Sequence, residues 1–306
     1  MPQKHDRRIG LFTYELGGDP NSLPLWIGVG DAARQYQVNL FCFPANPVRS
    51  PLGFEAQANV LYELADPQHL DGVIVWGGIL GVHLGVEEFG RFCERFRPVP
   101  VVNVGMVLPG YPSVLVDSYG GTRALVSHLI EAHGCRQIAY IQGPPGSPET
   151  VDRYRGYRDA LEAHGLPVDP QRVAPGDFKK PAGIHAVDLL LDERKVQLDS
   201  LVAANDVMAL GAMERLLERG FRVPSDILVC GFDDIEESAC SAPSLTTVRQ
   251  SFRRIGQRAA QLLLALLAGD QVPMEEVVPA DLILRRSCGC FSPTVALAAA
   301  GPLPET

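Results

Sequence analysis

The sequence predicts an α/β protein with doubly wound parallel sheets. Short apolar runs rich in β-branched residues alternate with longer amphipathic segments almost from end to end, the pattern of βαβ units in sheets covered on both faces. Eight such units are too many for one small open sheet, which leaves two doubly wound domains or a (β/α)₈ barrel. "SVLVD" (113–117) counts against the barrel, because only a short Pro/Gly loop separates it from the preceding strand.

The predicted elements follow one another regularly along the chain. Short apolar runs rich in β-branched residues predict strands at 8–14, 38–44, 71–77, 99–105, 113–117, 137–143, 200–205 and 227–232. Amphipathic segments between them predict helices at 24–37, 53–65, 86–95, 119–133, 152–164, 181–193, 206–219 and 251–268. The extended segment "EEVVPADLILRR" after the last helix is predicted to return to an earlier sheet. The Ala/Pro-rich segment 291–306 is predicted to be a loose tail or a truncated linker.

Composition and charge narrow the class of protein. The 306 residues suffice for two domains, and a hydrophobic content of 46% is typical of a globular chain. A formal net charge of −9 argues against unaided binding to DNA or to an anionic membrane, because both need a concentrated positive surface. The sequence contains no apolar stretch of about 18 residues and no apolar signal core in its first thirty residues. We therefore expect a cytoplasmic protein.

The cysteines and histidines predict neither a metal site nor a cofactor. Seven cysteines are an odd number, and most lie in apolar runs, where a thiol acts as a small hydrophobe. Cys288 and Cys290 are separated by one residue, which is not the usual spacing of a zinc or redox pair. His128 and His133 are five residues apart, which places them on different faces of the predicted helix. We expect that changing both cysteines to serine leaves ligand binding intact.

Polar and aromatic residues follow several of the predicted strands. In open α/β sheets, ligands bind beyond the carboxyl ends of the strands, so residues there are candidates for a binding site. An arginine offers a fork of donors, a carboxylate accepts, a carboxamide does both, and aromatic rings cover apolar faces. This combination suits a polar or polyhydroxylated small molecule. The candidates are Tyr14, Trp26, Trp76, Arg153, Asn205 and Asp233.

The acidic residues among and beside these candidates have alternative structural roles. Asn205 and Asp206 are both preferred helix N-caps, and for Asp206 the cap is favoured over a ligand contact. Of the adjacent pair that follows the strand at 227–232, Asp233 is predicted to face a ligand, whereas Asp234 is predicted to organise the turn. Neighbouring acids diverge, so the two do not form a catalytic dyad.

The sequence allows two roles for each of two further candidates. It also contains none of the catalytic motifs considered below. Trp76 is a pocket wall or a core residue, and Arg153 contacts a ligand or pairs with Glu149 or Asp152 on the surface. The loop "GPPGSP" lacks the lysine of a phosphate-binding loop, and the sequence has no G-x-S-x-G nucleophile elbow. We therefore expect a protein that is not an enzyme.

Several motifs in the second half of the chain resemble a known family. The segment 201–267 is similar to the effector domain of lac/galactose-repressor-type (LacI/GalR) transcription regulators, and the resemblance extends from about Arg8 to Cys290. The element Arg153-x-x-Gly156-Tyr157 and the opening "RIGLFT" also fit the family. The motifs that keep the family's order and spacing are Ala204-Asn205-Asp206, Met208-Ala209-Leu210-Gly211, Val223-Pro224, Gly231-Phe232-Asp233-Asp234 and Pro243-Ser244-Leu245-Thr246-Thr247-Val248.

The resemblance implies a periplasmic-binding-protein-like fold of two doubly wound lobes with a ligand cleft between them. We assign 8–118 and 250–280 to the N-terminal lobe, and 119–249 and 281–290 to the C-terminal lobe. By motif, Arg153, Asn205 and Asp233 fall on effector-contacting positions. Tyr14, Trp76 and the residues near Trp26 fall in the contact loops of the first lobe. The family senses its effector through ligand-dependent lobe closure and a homodimer interface.

The resemblance also sets the expected function. The family carries an N-terminal helix-turn-helix, whereas only seven residues precede Arg8 here, so we expect no DNA binding by this chain alone. We expect a sensing domain for a small-molecule effector, carbohydrate-like or nucleoside-like, in a transcription regulator. The aromatic residues favour the carbohydrate. The alternatives are a sensor at the front of a kinase- or cyclase-type signalling protein, or a soluble α/β enzyme acting on a sugar or nucleoside. The missing signal sequence disfavours a transport-type binding protein.

Overall fold

The chain divides into two compact units. The structure is a computed structural model that describes residues 7–16, 21–66, 68–145 and 147–290. The first unit comprises Met1–Val116 and Ser251–Val278, and the second comprises Asp117–Gln250 and Pro279–Thr306. The chain therefore passes from one unit to the other three times. The predicted tail at 291–306 lies outside the described residues.

The strands are short and mostly buried. In chain order they are β1 (Arg8–Thr13), β2 (Asn39–Pro44), β3 (Gly72–Val75), β4 (Val101–Val104), β5 (Ser113–Val116), β6 (Ile138–Ile141), β7 (Val173–Ala174), β8 (Ser200–Ala203), β9 (Leu228–Cys230), β10 (Thr247–Arg249), β11 (Glu275–Val278) and β12 (Asp281–Ile283). Each of the eight predicted strands is confirmed. The sequence did not predict β7 and β10, because two or three residues are too few to show a period.

The helices alternate with these strands. They are α1 (Ser22–Gln35), α2 (Gly53–Ala58), α3 (Gly77–Leu80), α4 (Val86–Cys93), α5 (Ser118–His133), α6 (Pro148–Ala163), α7 (Lys180–Asp188), α8 (Asp206–Glu218), α9 (Glu236–Cys240) and α10 (Phe252–Ala268). A 3₁₀ turn at Asn59–Leu64 continues α2, and a π turn at Leu189–Glu193 continues α7. All the predicted helices are confirmed.

Each unit contains an open parallel sheet. In the first unit the strand order is β11-β5-β4-β3-β1-β2, and every neighbouring pair is parallel. In the second unit the order is β7-β6-β8-β9, again all parallel, and β10 and β12 form a separate antiparallel pair. The pairing of β11 with β5 confirms the predicted return of the chain. Two open sheets replace the barrel alternative, and the predicted fold class is confirmed.

Apolar side chains cover both faces of the first sheet. Ile9, Leu11 and Ile74 pack with residues of α1 and α10 on one face. Phe12 and Val73 pack on the opposite face with the aromatic residues around α4. Successive side chains of a strand point to opposite faces, so an uninterrupted apolar strand supplies both layers. None of the helices formed by described residues has the length and apolarity needed to span a bilayer.

Glycines allow α1 and α10 to cross in backbone contact. A β-carbon on Gly28 would overlap the main-chain carbonyl of Arg253, and one on Gly256 would overlap that of Leu25. An ion pair 2.6 Å long between Arg253 and Asp31 lies beside the crossing. The close approach requires glycine at these two positions for lack of space, since both have ordinary helical geometry.

We predict that Gly28→Ala lowers the free energy of unfolding by about 1–3 kcal/mol, because the added methyl forces the two helices apart. Gly30→Ala is the matched control on the same helix, because the nearest atom to its β-carbon, on Leu40, is 4.0 Å away. The control should raise stability by up to about 1 kcal/mol through helix propensity. Urea denaturation followed by circular dichroism measures both, and equal stabilities of the two variants would contradict the crossing.

Candidate functional site

A buried arginine forms the centre of the candidate site in the second unit. Arg153 lies in the first half of α6, and its side chain is 2% exposed. Its Nη1 donates to the carbonyl oxygen of Ala204 at 2.6 Å. The guanidinium carbon lies 3.8 Å from the centre of the Phe232 ring. A cation removed from water needs such partners, and the aromatic face supplies a favourable electrostatic contact. Of the alternative proposed for this residue, the surface position is wrong because the side chain is buried, whereas the ion pair with Glu149 is present at 3.7 Å.

Asp233 is the carboxylate next to this cation. Its Oδ1 lies 3.5 Å from Arg153 Nη2 and accepts a hydrogen bond from Gln250 Nε2. Glu149, on the exposed side of α6, lies 3.7 Å from the same guanidinium nitrogen. Burial raises the pKa of Asp233 to about 8, and the carboxylates of Asp206 and Glu149 act in the same direction, while Arg153 and Gln250 oppose it. The anionic form of Asp233 therefore gains stability from any further donor that reaches it.

The turn that carries Asp233 has an unusual backbone. Asp233 has a φ of +123° and Asp234 a φ of +61°, values that side-chain-bearing residues adopt at a cost of about 1–3 kcal/mol. The amide of Asp233 donates to the carbonyl oxygen of Val248 at 2.8 Å. Asp234 accepts from Arg249 Nε and Arg285 Nη2, each at 2.6 Å. Asp234 thus holds the turn through ion pairs, and Asp233 is fixed beside the arginine at a strained position.

Asn205 is the N-cap of α8. Its Oδ1 accepts from the amide of Met208 at 3.0 Å, and its Nδ2 donates to the carbonyl oxygen of Phe178 at 3.0 Å. These bonds leave one amide hydrogen for another partner. The side chain therefore fixes the beginning of the helix and the loop that carries Phe178, whose ring centre lies 5.9 Å from the Arg153 guanidinium carbon.

The prediction that Asp206 caps this helix is wrong. Asp206 is fully buried and accepts from Ser238 Oγ at 2.6 Å, Thr247 Oγ1 at 2.5 Å and the amide of Ile235 at 3.1 Å. Because the side chain of Asn205 caps the helix, that of Asp206 instead accepts hydrogen bonds from the segment after β9 and from β10, and so links both to α8. Burial raises the pKa of Asp206, and the three donors oppose that shift. Asp206 therefore has a structural role, with its carboxylate oxygens bonded to protein donors and buried from solvent.

Three buried polar atoms around Arg153 remain without a hydrogen-bond partner within the described ranges. They are Thr150 Oγ1, Arg153 Nε and Gln250 Oε1. A buried polar atom without a partner lowers stability by about 1–3 kcal/mol, so a polar molecule that supplied hydrogen bonds to these atoms would remove that penalty. Sequence reasoning missed Thr150, Gln250 and Phe178. The position of Thr150, three residues before Arg153 in a helix, could have revealed it. Gln250 follows a strand too short to predict.

The three candidates of the first unit differ in their surroundings. Trp76, which follows β3, is 5% exposed and packs against Phe252 with ring centres 5.1 Å apart, so it belongs to the apolar core. Trp26 is partly exposed on α1, and Tyr14 is half-buried directly after β1. Two hydroxyls near Tyr14 and Trp26 in the sequence, those of Thr13 and Ser22, are buried and have no hydrogen-bond partner in the part of the chain that the structure describes.

The prediction that His128 and His133 point apart is also wrong. Their Nε2 atoms lie 3.2 Å from each other. The prediction considered only the directions of the α-carbons around the helix axis. It ignored the reach of the two imidazoles, which meet beside the distant segment that carries Cys288 and Cys290.

Comparison with known proteins relates this chain and its fold to a family of transcription regulators. The family model of the periplasmic binding protein-like domain matches residues 126–288. The HTH-type transcriptional regulator CelR of Thermobifida fusca is 35% identical over 226 residues, which are 72% of this chain and 64% of CelR. This chain thus spans less than two thirds of that relative. The chain belongs to the periplasmic binding protein-like family, and its relatives are LacI-type transcription regulators.

Solved structures agree with this assignment. A complex of the transcriptional regulator CelR with cellobiose superposes with a TM-score of 0.74 at 31% identity, covering 92% of this chain and 84% of that one. The lac repressor dimer bound to operator and the anti-inducer ONPF gives a TM-score of 0.74 at 28% identity, covering 93% and 95% of the two chains. The resemblance deduced from the sequence motifs is therefore confirmed.

Proposed function

We propose that this chain is the effector-binding domain of a LacI/GalR-type transcription regulator, and that its second unit binds a small polar molecule at Arg153 and Asp233. The observation that carries the proposal is the buried guanidinium, whose Nε has no hydrogen-bond partner among the described residues. Beside it, Asp233 is held at a strained φ that an ordinary turn does not need. Strain and unpartnered polar atoms at one place are typical of a binding site.

The surrounding groups favour a carbohydrate-like effector. Arg153 donates, Asp233 and Gln250 Oε1 accept, and the hydroxyl of Thr150 does both. A sugar hydroxyl also donates and accepts, so neighbouring hydroxyls can satisfy this alternation of partners. The ring of Phe178 offers an apolar surface to the carbon face of a sugar or to a nucleoside base. The relative CelR has been solved with cellobiose, which supports the carbohydrate class for this chain.

Signalling requires that the effector bind one arrangement of the protein more tightly than another. We propose that the effector contacts Tyr14 and Trp26 of the first unit as well as the second unit, and that closure of the two units upon it is the signal. Trp76 is the least exposed of the three and lies in the apolar core of the same unit. Such a domain binds its effector without turnover. DNA binding would then belong to a helix-turn-helix domain, and the kinase- or cyclase-type sensor remains an alternative output of the same binding step.

We predict that Arg153→Ala and Asp233→Ala abolish effector binding, and that Thr150→Val weakens it roughly tenfold through one lost hydrogen bond. Arg158→Ala, on an exposed part of the same helix, is the control and should bind normally. Isothermal titration against mono- and disaccharides, nucleosides and purines measures the affinities, and circular dichroism checks that each variant is folded.

Two results would contradict the proposed function. Unchanged affinity of all three site variants for a ligand that binds the wild-type protein would place the site elsewhere. Conversion of the ligand to a product would show an enzyme. Thr150→Val is nearly isosteric and keeps the test decisive where removal of the buried Arg153 perturbs folding.

We also propose a homodimer that uses the surface between α8 and α9. A groove of about 690 Å³ lies there, and its apolar lining is Val207, Leu210, Met213, Leu217, Ile235 and Ala242. Leu217, in this lining, is 41% exposed. The solved lac repressor relative is a dimer, which supports the same association here.

We predict that Leu210→Asp converts the dimer to a monomer, because association would remove the new carboxylate from water among the apolar residues of the groove. Val151→Asp, which changes an exposed apolar residue of the same unit, should leave the dimer intact. Multi-angle light scattering gives the mass directly. A wild-type protein that is monomeric at high concentration would overturn this part of the proposal.

A further inference from the structure

We propose that the second unit contains a structural Zn²⁺ site formed by His128, His133, Cys288 and Cys290. The four side chains each offer one ligand atom, and these atoms all lie within 4.8 Å of one another. Two imidazole nitrogens and two sulfurs are the donor set of many structural zinc sites. The site uses none of the residues assigned to effector binding, so it stands independently of the proposed function.

The distances among the four atoms fit a tetrahedral ion. With zinc bonds of about 2.0–2.1 Å to nitrogen and about 2.3 Å to sulfur, tetrahedral geometry separates two nitrogens by about 3.3 Å and a nitrogen from a sulfur by about 3.5 Å. The Nε2 atoms of His128 and His133 are 3.2 Å apart. Cys290 Sγ lies 3.5 Å from His128 Nε2 and 3.3 Å from His133 Nε2. Cys288 Sγ lies 3.9 Å from His128 Nε2. The two remaining pairs, both of which include Cys288 Sγ, lie within 4.8 Å, so this sulfur would move by about 1 Å to complete the tetrahedron.

The local fold explains how four residues so far apart in sequence converge. His128 and His133 lie in the last turns of α5, which ends at Gly134 with a left-handed backbone. The cysteines flank Gly289, which ends a 3₁₀ turn with a φ of +86°. Glycine adopts this value without strain, and the turn brings both sulfurs to the two imidazoles. The spacing of one residue, although unusual for a zinc site, suits this tight turn.

A hydroxyl lies next to the more buried sulfur. Cys288 is fully buried, and Thr246 Oγ1 lies 3.0 Å from its Sγ, within reach to donate a hydrogen bond. Such a donor favours the thiolate over the thiol and orients it, which is the usual arrangement around metal-bound cysteines. The amide of Arg285 in turn donates to the Thr246 oxygen at 2.8 Å and fixes its position.

Charge balance also favours a divalent ion here. When Zn²⁺ binds, each thiol releases one proton to solvent, and the two thiolates neutralise the ion while both imidazoles stay neutral. Soft sulfur donors select zinc over Mg²⁺ and Ca²⁺, which prefer oxygen. Because four protein ligands fill the tetrahedron and leave no open position, the role is structural. The ion would join the segment at 286–290 to the end of α5, two parts of the second unit that are far apart in sequence.

The test begins with the metal content of the full chain purified without chelator. Inductively coupled plasma mass spectrometry should show roughly one zinc per chain. Cys290→Ser and His133→Ala should each lose it, whereas Cys240→Ser and His185→Ala, which change exposed residues of the same unit outside the cluster, should retain it.

After removal of the metal, Co²⁺ added to the wild-type chain should give the intense visible absorption of a tetrahedral site and a thiolate-to-cobalt band. Added Zn²⁺ should raise the melting temperature of the wild-type chain and not that of the two cluster variants.

Three results would overturn the proposal. The first is a wild-type chain that takes up neither Zn²⁺ nor Co²⁺ after reduction. The second is zinc retained by the cluster variants as fully as by the controls. The third is a disulfide between Cys288 and Cys290 in protein purified under reducing conditions. The cobalt spectrum of the wild-type chain decides the question even where a variant fails to fold.

Discussion

The charge of Arg153, buried within the second unit, is the constraint on which the candidate site depends. A guanidinium removed from water must be compensated, and here the carbonyl oxygen of Ala204 and the face of Phe232 do so, with the carboxyl group of Asp233 3.5 Å away. Each of these partners follows a strand of the second sheet. The site therefore exists because β8 and β9 end side by side and direct the chain toward α6. In the folded protein Arg153 Nε has no hydrogen-bond partner among the described residues, and a polar ligand can supply one.

Three acids that follow strands of the second sheet have different roles in this arrangement. Asp234 and Asp206 have all-protein partners and stabilise the turn and the start of α8. Asp233 keeps a partial exposure of 16% and a raised pKa, which marks it as the acid that a ligand can reach. Adjacent positions after a strand point in different directions, so the backbone geometry at the turn divides these roles.

The sequence predicted the sheets and most of the helices because continuous apolar strands and amphipathic helices have distinct periods. It also placed Arg153 and Asp233 in one site, since both follow strands of the same sheet. It failed where contacts depend on side-chain reach or on tertiary partners. Asp206 was predicted as a cap because capping is local, whereas its three donors are not. The pairing of His128 with His133 depends on a segment more than 150 residues away.

Hydrogen–deuterium exchange of the whole chain, free and saturated with the tightest ligand of the titration panel, tests the central claim most directly. The account predicts slower amide exchange at 147–157 and at 229–235, the segments that carry Arg153 and Asp233, because a ligand joining them suppresses local opening. Protection confined to other parts of the chain, with these two segments unchanged, would contradict it.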